Sequence, residues 1–472
     1  MSFFEPDNLR EITAGRFVKK ASSPAAGPIE GVSTDTRTLT HGQVFIALRG
    51  ERFDGHDHLT AAAEAGSPLL IVDREEPARA VAADVTILLV SSTTTALAQL
   101  AAAYRKTLPG RIIAVTGSVG KTTTKQIIHA VLSTCLTGQA SPKSFNNHIG
   151  VPLTLLNASP SDAYVICEVG TNAPGEIAAL GRIVEPDIAI ITAVGVAHLE
   201  GLGSVDAVLR EKASLLSHMH AGGLAIVNGD VPGLADYHRI APSMITYGIG
   251  ESCHLRLTRC HAVATGAEFE INNRWRFKLP LLGEHNARNA LAAIAVARHM
   301  KLTDSQIAHG LERVIAPPGR LRLSSIGSLT IIDDSYNANP DSMAAALRVL
   351  QSHPATGRRV AVLGDMLELG DQSPAFHRTL GETVADSAID LAVFVGRLSL
   401  FAAEAVNRRG AADRAHAEPT CTDAGADAIA ALLRDGDTVL LKASRGIALE
   451  RLIPAIEKRF GSTNNPSQAC AP

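Results

Sequence analysis

The chain has no apolar run approaching the about 18 uncharged residues that a membrane-spanning helix needs, and Met1 to Lys20 carries Glu5, Asp7 and Glu11 in place of a hydrophobic core segment. Neither a membrane span nor a secretory signal is expected. It also lacks any long block of one charge. With 44 Lys and Arg against 47 Asp and Glu, net charge −3, the composition excludes a nucleic-acid partner or an anionic membrane surface as the organising interaction. The six cysteines, Cys135, Cys167, Cys253, Cys260, Cys421 and Cys470, form no CxxC pair and no Cys/His zinc spacing, which is the usage of a reduced, cytoplasmic protein. Cys253 and Cys260 flank a strand-like run and are the one pair a disulfide could join.

Present in the sequence is one stretch around which the rest is arranged. Ile112-Ile113-Ala114-Val115 runs into Thr116-Gly117-Ser118-Val119-Gly120-Lys121-Thr122-Thr123-Thr124, and an amphipathic segment from Gln126 to Leu136 follows. That is the grammar of strand, phosphate loop and helix. Gly117 and Gly120 let successive N–H groups turn inward toward phosphate oxygens, and the following helix aims its positive end at the same place. Lys121 would reach the β- and γ-phosphates, and the Thr122 hydroxyl would ligate Mg²⁺. Position 115 is Val where the general phosphate-loop pattern has glycine, so the loop is a shortened Thr-Gly-x-x-Gly-Lys-Thr.

At 472 residues the usual size prior gives roughly three domains. Residues 1–106 read as a small α/β unit whose polar residues Ser33, Asp35, Arg37, Arg49, Gly50, Asp54, Gly55 and His56 fall at strand ends and turns. Ligands gather at such places, although polar turns with nothing bound look the same. Pro109-Gly110 opens a second unit, 107–316. Its apolar strands at Tyr164 to Val169, Asp187 to Val194 and Leu224 to Asn228 argue a buried, mostly parallel sheet. Glu168 stands at a strand end, where a nucleotide-binding sheet often keeps a carboxylate for Mg²⁺. His198 follows the next strand, and Asn146-Asn147-His148 forms an amide-rich turn. Lys212, beside Arg210 and Glu211, reads by pattern alone as a solvated helix charge. Asn286 and Asn289 open an alanine-rich helix, where they could face a nucleotide or merely cap.

Pro317-Pro318-Gly319 begins a third unit, 317–461, in which strands at Leu329 to Asp333, Arg359 to Leu363, Leu391 to Val395 and Thr438 to Lys442 alternate with helices. The spacing predicts a doubly wound, Rossmann-like domain. Its strand ends carry Asp333-Asp334-Ser335-Tyr336-Asn337-Ala338-Asn339-Pro340, then Gly364 to Gly370, then Lys442-Ala443-Ser444-Arg445-Gly446. Residues 462–472 show no periodicity and read as a disordered tail. A nucleotide-binding centre between two ligand-ready α/β units points to an ATP-dependent transferase or ligase that brings ATP and two substrates together by closure. A GTPase would carry an Asn-Lys-x-Asp signature, which Asn228-Gly229-Asp230 is not, and a small-molecule kinase does not account for two further domains.

Six motifs, in order, carry a resemblance: the loop Thr116 to Thr123, Ser144-Phe-Asn-Asn-His-Ile-Gly, Glu168-Val-Gly-Thr-Asn-Ala-Pro-Gly-Glu, Ala197-His-Leu-Glu-Gly, Gly283-Glu-His-Asn and Asp333-Asp-Ser-Tyr-Asn-Ala-Asn-Pro. Together they resemble the Mur ligases of peptidoglycan synthesis. The Ser-Tyr-Asn-Ala-Asn-Pro run, Val362 to Gly370 and Lys-Ala-Ser-Arg look like the family's dipeptide-adding MurF branch. The resemblance implies a three-domain α/β protein: a domain for a UDP-sugar peptide, a P-loop ATPase and a Rossmann-like C-terminal domain. The implied reaction joins D-Ala-D-Ala to the terminal carboxylate of UDP-MurNAc-tripeptide through an acyl phosphate and a tetrahedral intermediate, in the cytoplasm, by a monomer. It implies two Mg²⁺ ions. Thr116 to Thr123, Asn286, Arg320, Asp334, Tyr336 and Asn337 would hold ATP, with Asn339 nearby. Thr122, Glu168 and His198 would serve metal, supported by Lys212, the position the family carbamylates. Lys121, Glu168, His198 and Lys212 would carry catalysis. Ser33, Asp35, Arg37 and the turn Arg49 to His56 would face the uridine nucleotide. Asn146, Asn147, Ser444 and Arg445 would approach the other substrate groups. The chain departs from the pattern mildly, with Ala443 where glycine would be unsurprising and Leu202 where an aromatic would be.

Overall fold

Three mixed sheets follow one another along the chain, each flanked by helices and each with its own apolar packing, in a computed structural model that describes residues 3–23 and 27–464. The first contains β1 (Arg16–Lys19), β2 (Val32–Ser33), β3 (Val44–Ile46), β4 (Leu69–Val72) and β5 (Thr86–Leu89) in the order 1-5-4-3-2. Strands β2 to β5 are parallel, and β1 adds an antiparallel edge. The helix Thr93–Arg105 leaves this sheet and packs against the next domain. There Tyr104 donates to the Ala158 carbonyl at 2.8 Å, and the buried Arg105 guanidinium donates to the Val184 and Glu185 carbonyls and pairs with Asp187 at 2.8 Å. Asn157 adds a two-way clasp on the Val32 backbone. The first two domains are thus joined by buried polar contacts whose disruption would strand their partners in a dry interface.

The central sheet has nine strands: β6 (Arg111–Thr116), β7 (Gly138–Ala140), β8 (Tyr164–Glu168), β9 (Ile188–Ile191), β10 (Leu224–Asn228), β11 (Met244–Gly248), β12 (Leu255–Val263), β13 (Gly266–Ile271) and β14 (Trp275–Leu279). Their order is 14-13-12-11-10-9-6-8-7, so β6 lies inside the sheet, third from its β7 edge, with β8 and β9 on either side. Every side chain of β8 and β9 is buried, as expected of strands covered on both faces. The expected parallel sheet is present from β7 to β12, but an antiparallel meander, β12 to β14, extends it. The sequence signal there was weak because the turn uses Asn272 and Asn273, both at positive φ, rather than glycine. β14 ends the sheet with Arg276 and Lys278 exposed, opposite Glu270 and Glu268.

The third sheet runs β19 (Ala415–Glu418), β18 (Leu391–Val395), β17 (Arg359–Gly364), β20 (Thr438–Lys442), β16 (Leu329–Asp334), β15 (Arg322–Ile326), β21 (Thr463–Asn464). β21 corrects the expectation of a structureless tail from Ser462. Gly461, at φ 103, turns the chain out of the helix Leu452–Phe460, and the next residues pair with the free edge of β15; 465–472 lie outside the described residues. The described cysteines are all free thiols, Cys253 and Cys260 included. No helix among the described residues is long and apolar enough to cross a membrane.

Candidate active site

The carboxyl ends of β6, β8 and β9 meet the ends of β16, β17 and β20 across a cleft of about 590 Å³, the place where open α/β sheets bind ligands. On the central side the phosphate loop takes the predicted form. Gly117 and Gly120 have φ 151 and 91, and a Cβ at 117 would lie 1.9 Å from the Thr192 hydroxyl. Both positions therefore need glycine, one for space and both for backbone. The helix Lys121–Leu132 begins directly after Gly120, earlier than the apolar periodicity indicated, so Lys121, Thr122 and Thr123 form its positive first turn. Lys121 Nζ folds back to donate to the Gly117 carbonyl at 2.6 Å. Burial, outweighing the pull of Glu168 and aided by Arg320, lowers its ammonium to about 8.

Glu168 ends β8 almost wholly buried. Its Oε1 accepts from the Thr122 hydroxyl at 3.1 Å and from Asn146 Nδ2 at 3.0 Å. Its Oε2 lies 3.2 Å from the Lys125 ammonium, which also donates to the Ser141 carbonyl at 2.9 Å and to the Lys143 carbonyl. Lys125 was not anticipated from sequence. The available signal was its position, one turn beyond Lys121 on the same helix face. Asn147 caps the helix Gly150–Leu156 by accepting from the Ile149 and Gly150 amides.

Lys212 overturns the pattern-based expectation of a solvated charge. It sits in the helix Val205–Ala213 with no exposed surface, and its Nζ finds no hydrogen-bond partner among the described residues. Burial first, and the nearby Lys121 charge second, lower its amine well below the ordinary lysine range. An unpartnered buried amine is rare enough to demand a chemical reason. The adjacent Glu211 turns the other way and accepts from the Gly175 and Ile177 amides, both at 2.8 Å, fixing this helix against the loop at the cleft wall.

The C-terminal side supplies the opposing surface. Asp334, at the end of β16, pairs with Lys442 at 2.5 Å and accepts from the Leu321 amide; burial pushes its carboxyl up and the Lys442 amine down. Arg320 lies 4.3 Å over the Tyr336 ring, and Asn337 caps its own turn by accepting from the Ala338 amide. Asn286 donates to the Leu282 carbonyl and accepts from Asn289 at 3.2 Å. Asn286, Asn289, Asp334 and Arg320 line a second hollow of about 410 Å³ that adjoins the phosphate loop. His198, at φ 54, reaches across to Glu368, Nδ1 to Oε2 2.5 Å; Glu368 was within a quoted motif but had been given no role.

Lys121, Asn146, Asn147, Glu168, His198, Arg320, Tyr336, Asn337, Ser444 and Arg445 are thus brought to one cleft. Ser444 spends its hydroxyl internally, accepting from the Leu367 amide at 2.9 Å and donating to the Ala338 carbonyl at 3.3 Å. Arg445 pairs with Glu450. The N-terminal group stays apart: Ser33, Asp35, Arg37, Arg49, Gly50, Asp54, Gly55 and His56 do not line the cleft. Asp35 is clamped by Arg37, whose hydrogen bonds hold its carboxyl down to about 2. Asp54 joins His56 Nδ1 at 2.6 Å and Arg74 at 2.7 Å. No cluster of three or more His, Cys, Asp or Glu side chains preformed for a metal occurs among the described residues.

Comparison with known proteins places these features in one group. Three family models match in succession: "Mur ligase family, catalytic domain" over 28–105, "Mur ligase middle domain" over 115–297, and "Mur ligase, glutamate ligase domain" over 319–445. A Bacillus subtilis protein named UDP-N-acetylmuramoyl-tripeptide--D-alanyl-D-alanine ligase is 39% identical over 427 residues, 90% of this chain and 92% of that one. The crystal structure of MurF from Acinetobacter baumannii superposes with a TM-score of 0.84 at 32% identity, covering 96% of this chain and 98% of that chain. MurF from Thermotoga maritima, solved in complex with ADP, gives 0.79 at 27% identity over 92% and 98%.

Proposed function

The chain belongs to the Mur ligase family, and we propose that it joins D-Ala-D-Ala to the terminal carboxylate of UDP-MurNAc-tripeptide at the cost of one ATP. The observation that carries this reading is the cleft itself. A phosphate loop and a buried carboxylate face a second α/β domain across it, and an unpartnered buried lysine lies behind the loop, near enough to Lys121 to feel its charge. A hydrolase or switch would need only the first of these.

The chemistry assigns each residue a task. A tripeptide carboxylate oxygen attacks the γ-phosphorus, the bond to the β-bridging oxygen breaks, and ADP leaves. The dipeptide amine then adds to the acyl-phosphate carbon, loses a proton, and the tetrahedral intermediate collapses with expulsion of phosphate. Two anions must first be brought together, so positive charge dominates the site. The loop amides, the helix N-terminus and Lys121 would hold the β- and γ-phosphates. Lys121, drawn to about 8 by its surroundings, would recover its full charge beside them. Asn286 and Asp334, with Arg320 stacked on Tyr336 and Asn337 alongside, would enclose the rest of the nucleotide in the adjoining hollow.

The donor set fits Mg²⁺. The Thr122 hydroxyl and Glu168 are already in contact, His198 is at the cleft, and a carbamate on Lys212 would provide a second carboxylate-like donor beside Glu168. When bound, the ions would neutralise the transferring phosphoryl group and its carboxylate acceptor. Lys212 supports this by being dry, unpartnered and shifted toward the neutral amine, the form that adds CO₂ and releases a proton to become a carbamate anion. In this reading 1–106 carries the UDP-sugar-peptide, through Ser33, Asp35, Arg37 and the turn Arg49 to His56, 107–316 carries ATP, and 317–461 presents Ser444 and Arg445 toward the amino-acid groups.

Purified protein with ATP, Mg²⁺, UDP-MurNAc-tripeptide and D-Ala-D-Ala should release phosphate only when both acceptor substrates are present. Release indifferent to the dipeptide sinks the proposal. Preference for glutamate as acceptor would reassign the chain to another amide ligase of the same superfamily.

A further inference from the structure

Beyond β9 the segment Thr192-Ala193-Val194-Gly195-Val196 serves two neighbours at once. Toward the phosphate loop, the Ser118 amide donates to the Ala193 carbonyl at 2.6 Å, and Thr192 Oγ1 donates to the Val119 carbonyl at 2.6 Å. Ser118 Oγ accepts from the Gly195 amide at 3.1 Å and donates to the Gly195 carbonyl at 3.3 Å. The loop that must cradle phosphate therefore hangs from this strand end. Toward the C-terminal domain, the very next amide, that of Val196, donates to Asp341 Oδ2 at 3.2 Å.

Asp341 is placed rigidly. It lies in the first turn of the helix Pro340–Ser352, which is fixed by a reciprocal capping box between Asn339 and Ser342 and follows directly on the Ser335 to Asn339 run. Its carboxylate approaches so closely that a Cβ on residue 195 would stand 2.0 Å from Oδ2. Gly195 is not in the left-handed region, so its backbone does not call for glycine. What a methyl there would meet is the carboxylate arriving from the other domain, which would have to swing off the Val196 amide to make room.

We propose that Asp341 is a positioning residue for phosphoryl transfer. By docking on the bare Gly195–Val196 edge it transmits closure of the C-terminal domain to the phosphate loop through Gly195 and Ser118, so that the loop reaches its working geometry only once the domains have met. This rests on the ligase reading for its kinetic test, but the contact itself is present in the structure. The physical logic is that a misplacement of about 1 Å at a reacting centre can cost about 100-fold in rate, and an interdomain contact that fixes the loop removes that freedom once the domains have met.

The test is a two-residue cycle on the full chain. Gly195→Ala should leave the open protein folded, with its thermal midpoint and ADP affinity near wild type, because only the docked state lacks room for the methyl. Dipeptide-dependent phosphate release should fall at least about 10-fold in kcat with KM for ATP changed less than about 3-fold, the signature of an interaction made after nucleotide binding. Asp341→Ala in the Gly195→Ala background should raise the rate again, to that of Asp341→Ala alone. Small-angle scattering with ADP should show wild type more compact than Gly195→Ala. A Gly195→Ala enzyme as fast as wild type, or a double variant no faster than the single, overturns the proposal. If Gly195→Ala does not fold, Asp341→Ala alone decides it: unchanged kcat refutes, reduced kcat with unchanged ADP affinity supports. Wild-type protein without dipeptide-dependent release would instead sink the ligase reading, and the scattering comparison would still report on the contact.

Discussion

Replacing Lys125 by methionine removes a single charge from a dry part of the site and should be strongly destabilising. Lys125 is 2% exposed and Glu168 1%, with 3.2 Å between Nζ and Oε2. Methionine keeps the length of the side chain, so the loss is electrostatic and hydrogen-bonding rather than steric. It leaves Glu168 Oε2 with no cation and the Ser141 and Lys143 carbonyls without their shared donor. Breaking one side of a buried pair costs about 3–5 kcal/mol, whereas removing both sides together is close to neutral. At about 2–4 °C per kcal/mol for a domain of this size, Lys125→Met should lower the thermal transition of the central domain by about 6–20 °C. The double variant Lys125→Met/Glu168→Gln should recover at least half of that. Differential scanning calorimetry on the two variants and wild type, at one pH and salt, reads both numbers. A Lys125→Met midpoint within about 3 °C of wild type, or a double variant as unstable as the single, would show that the pair is not coupled as its geometry implies.

Lys212→Ala should abolish dipeptide-dependent phosphate release while leaving the fold intact, and added formate or acetate should return part of the activity by supplying the missing carboxylate; no rescue with a folded protein argues against a carbamate at this position. His285, in the hollow beside the phosphate loop, is held down to about 4 by burial and by the charges of Arg288, Lys442 and Arg348. The unfolded chain therefore binds a proton near 6.5 that the native state refuses until about 4, so native stability must fall as pH drops through that window. His285→Gln should flatten this part of the denaturation midpoint against pH curve relative to wild type; an unchanged slope between pH 7 and 4 would mean the imidazole is solvated.

Much of the architecture was legible because strands covered on both faces must be apolar throughout. β8, β9, β10, β18 and β20 fall within a residue or a few of the positions their runs predict. Strand-end polar residues were legible for the same reason, since a charged residue after such a run has few places to go except the ligand cleft. Glu168, His198, Asp334 and the phosphate loop followed. The residues that were missed or misjudged share a different property, that their meaning depends on what other elements of the fold bring to them. Lys212 looks like any helix lysine until neighbouring elements bury it. Glu368 acquires a role only through His198 on the other side of the cleft. Asp35 and Arg37, and Asp54 and His56, read as ready for a ligand, also engage one another, with Arg74 joining the second pair, an internal use of charge that composition does not reveal.

The charged border at β14 bears on how the protein behaves when crowded. A sheet of nine strands that ends in an unpaired strand offers its backbone to any passing strand, including that of a second copy. Here the residues standing beside that open row of amides and carbonyls are Arg276 and Lys278, already matched to Glu270 and Glu268 on the inner neighbour. A visiting strand would have to dehydrate both cations without gaining a new counter-charge. The meander thus gives the sheet a colloidal as well as a structural ending, and neutralising these two residues should be felt first as precipitation in concentrated solution, long before any change in turnover.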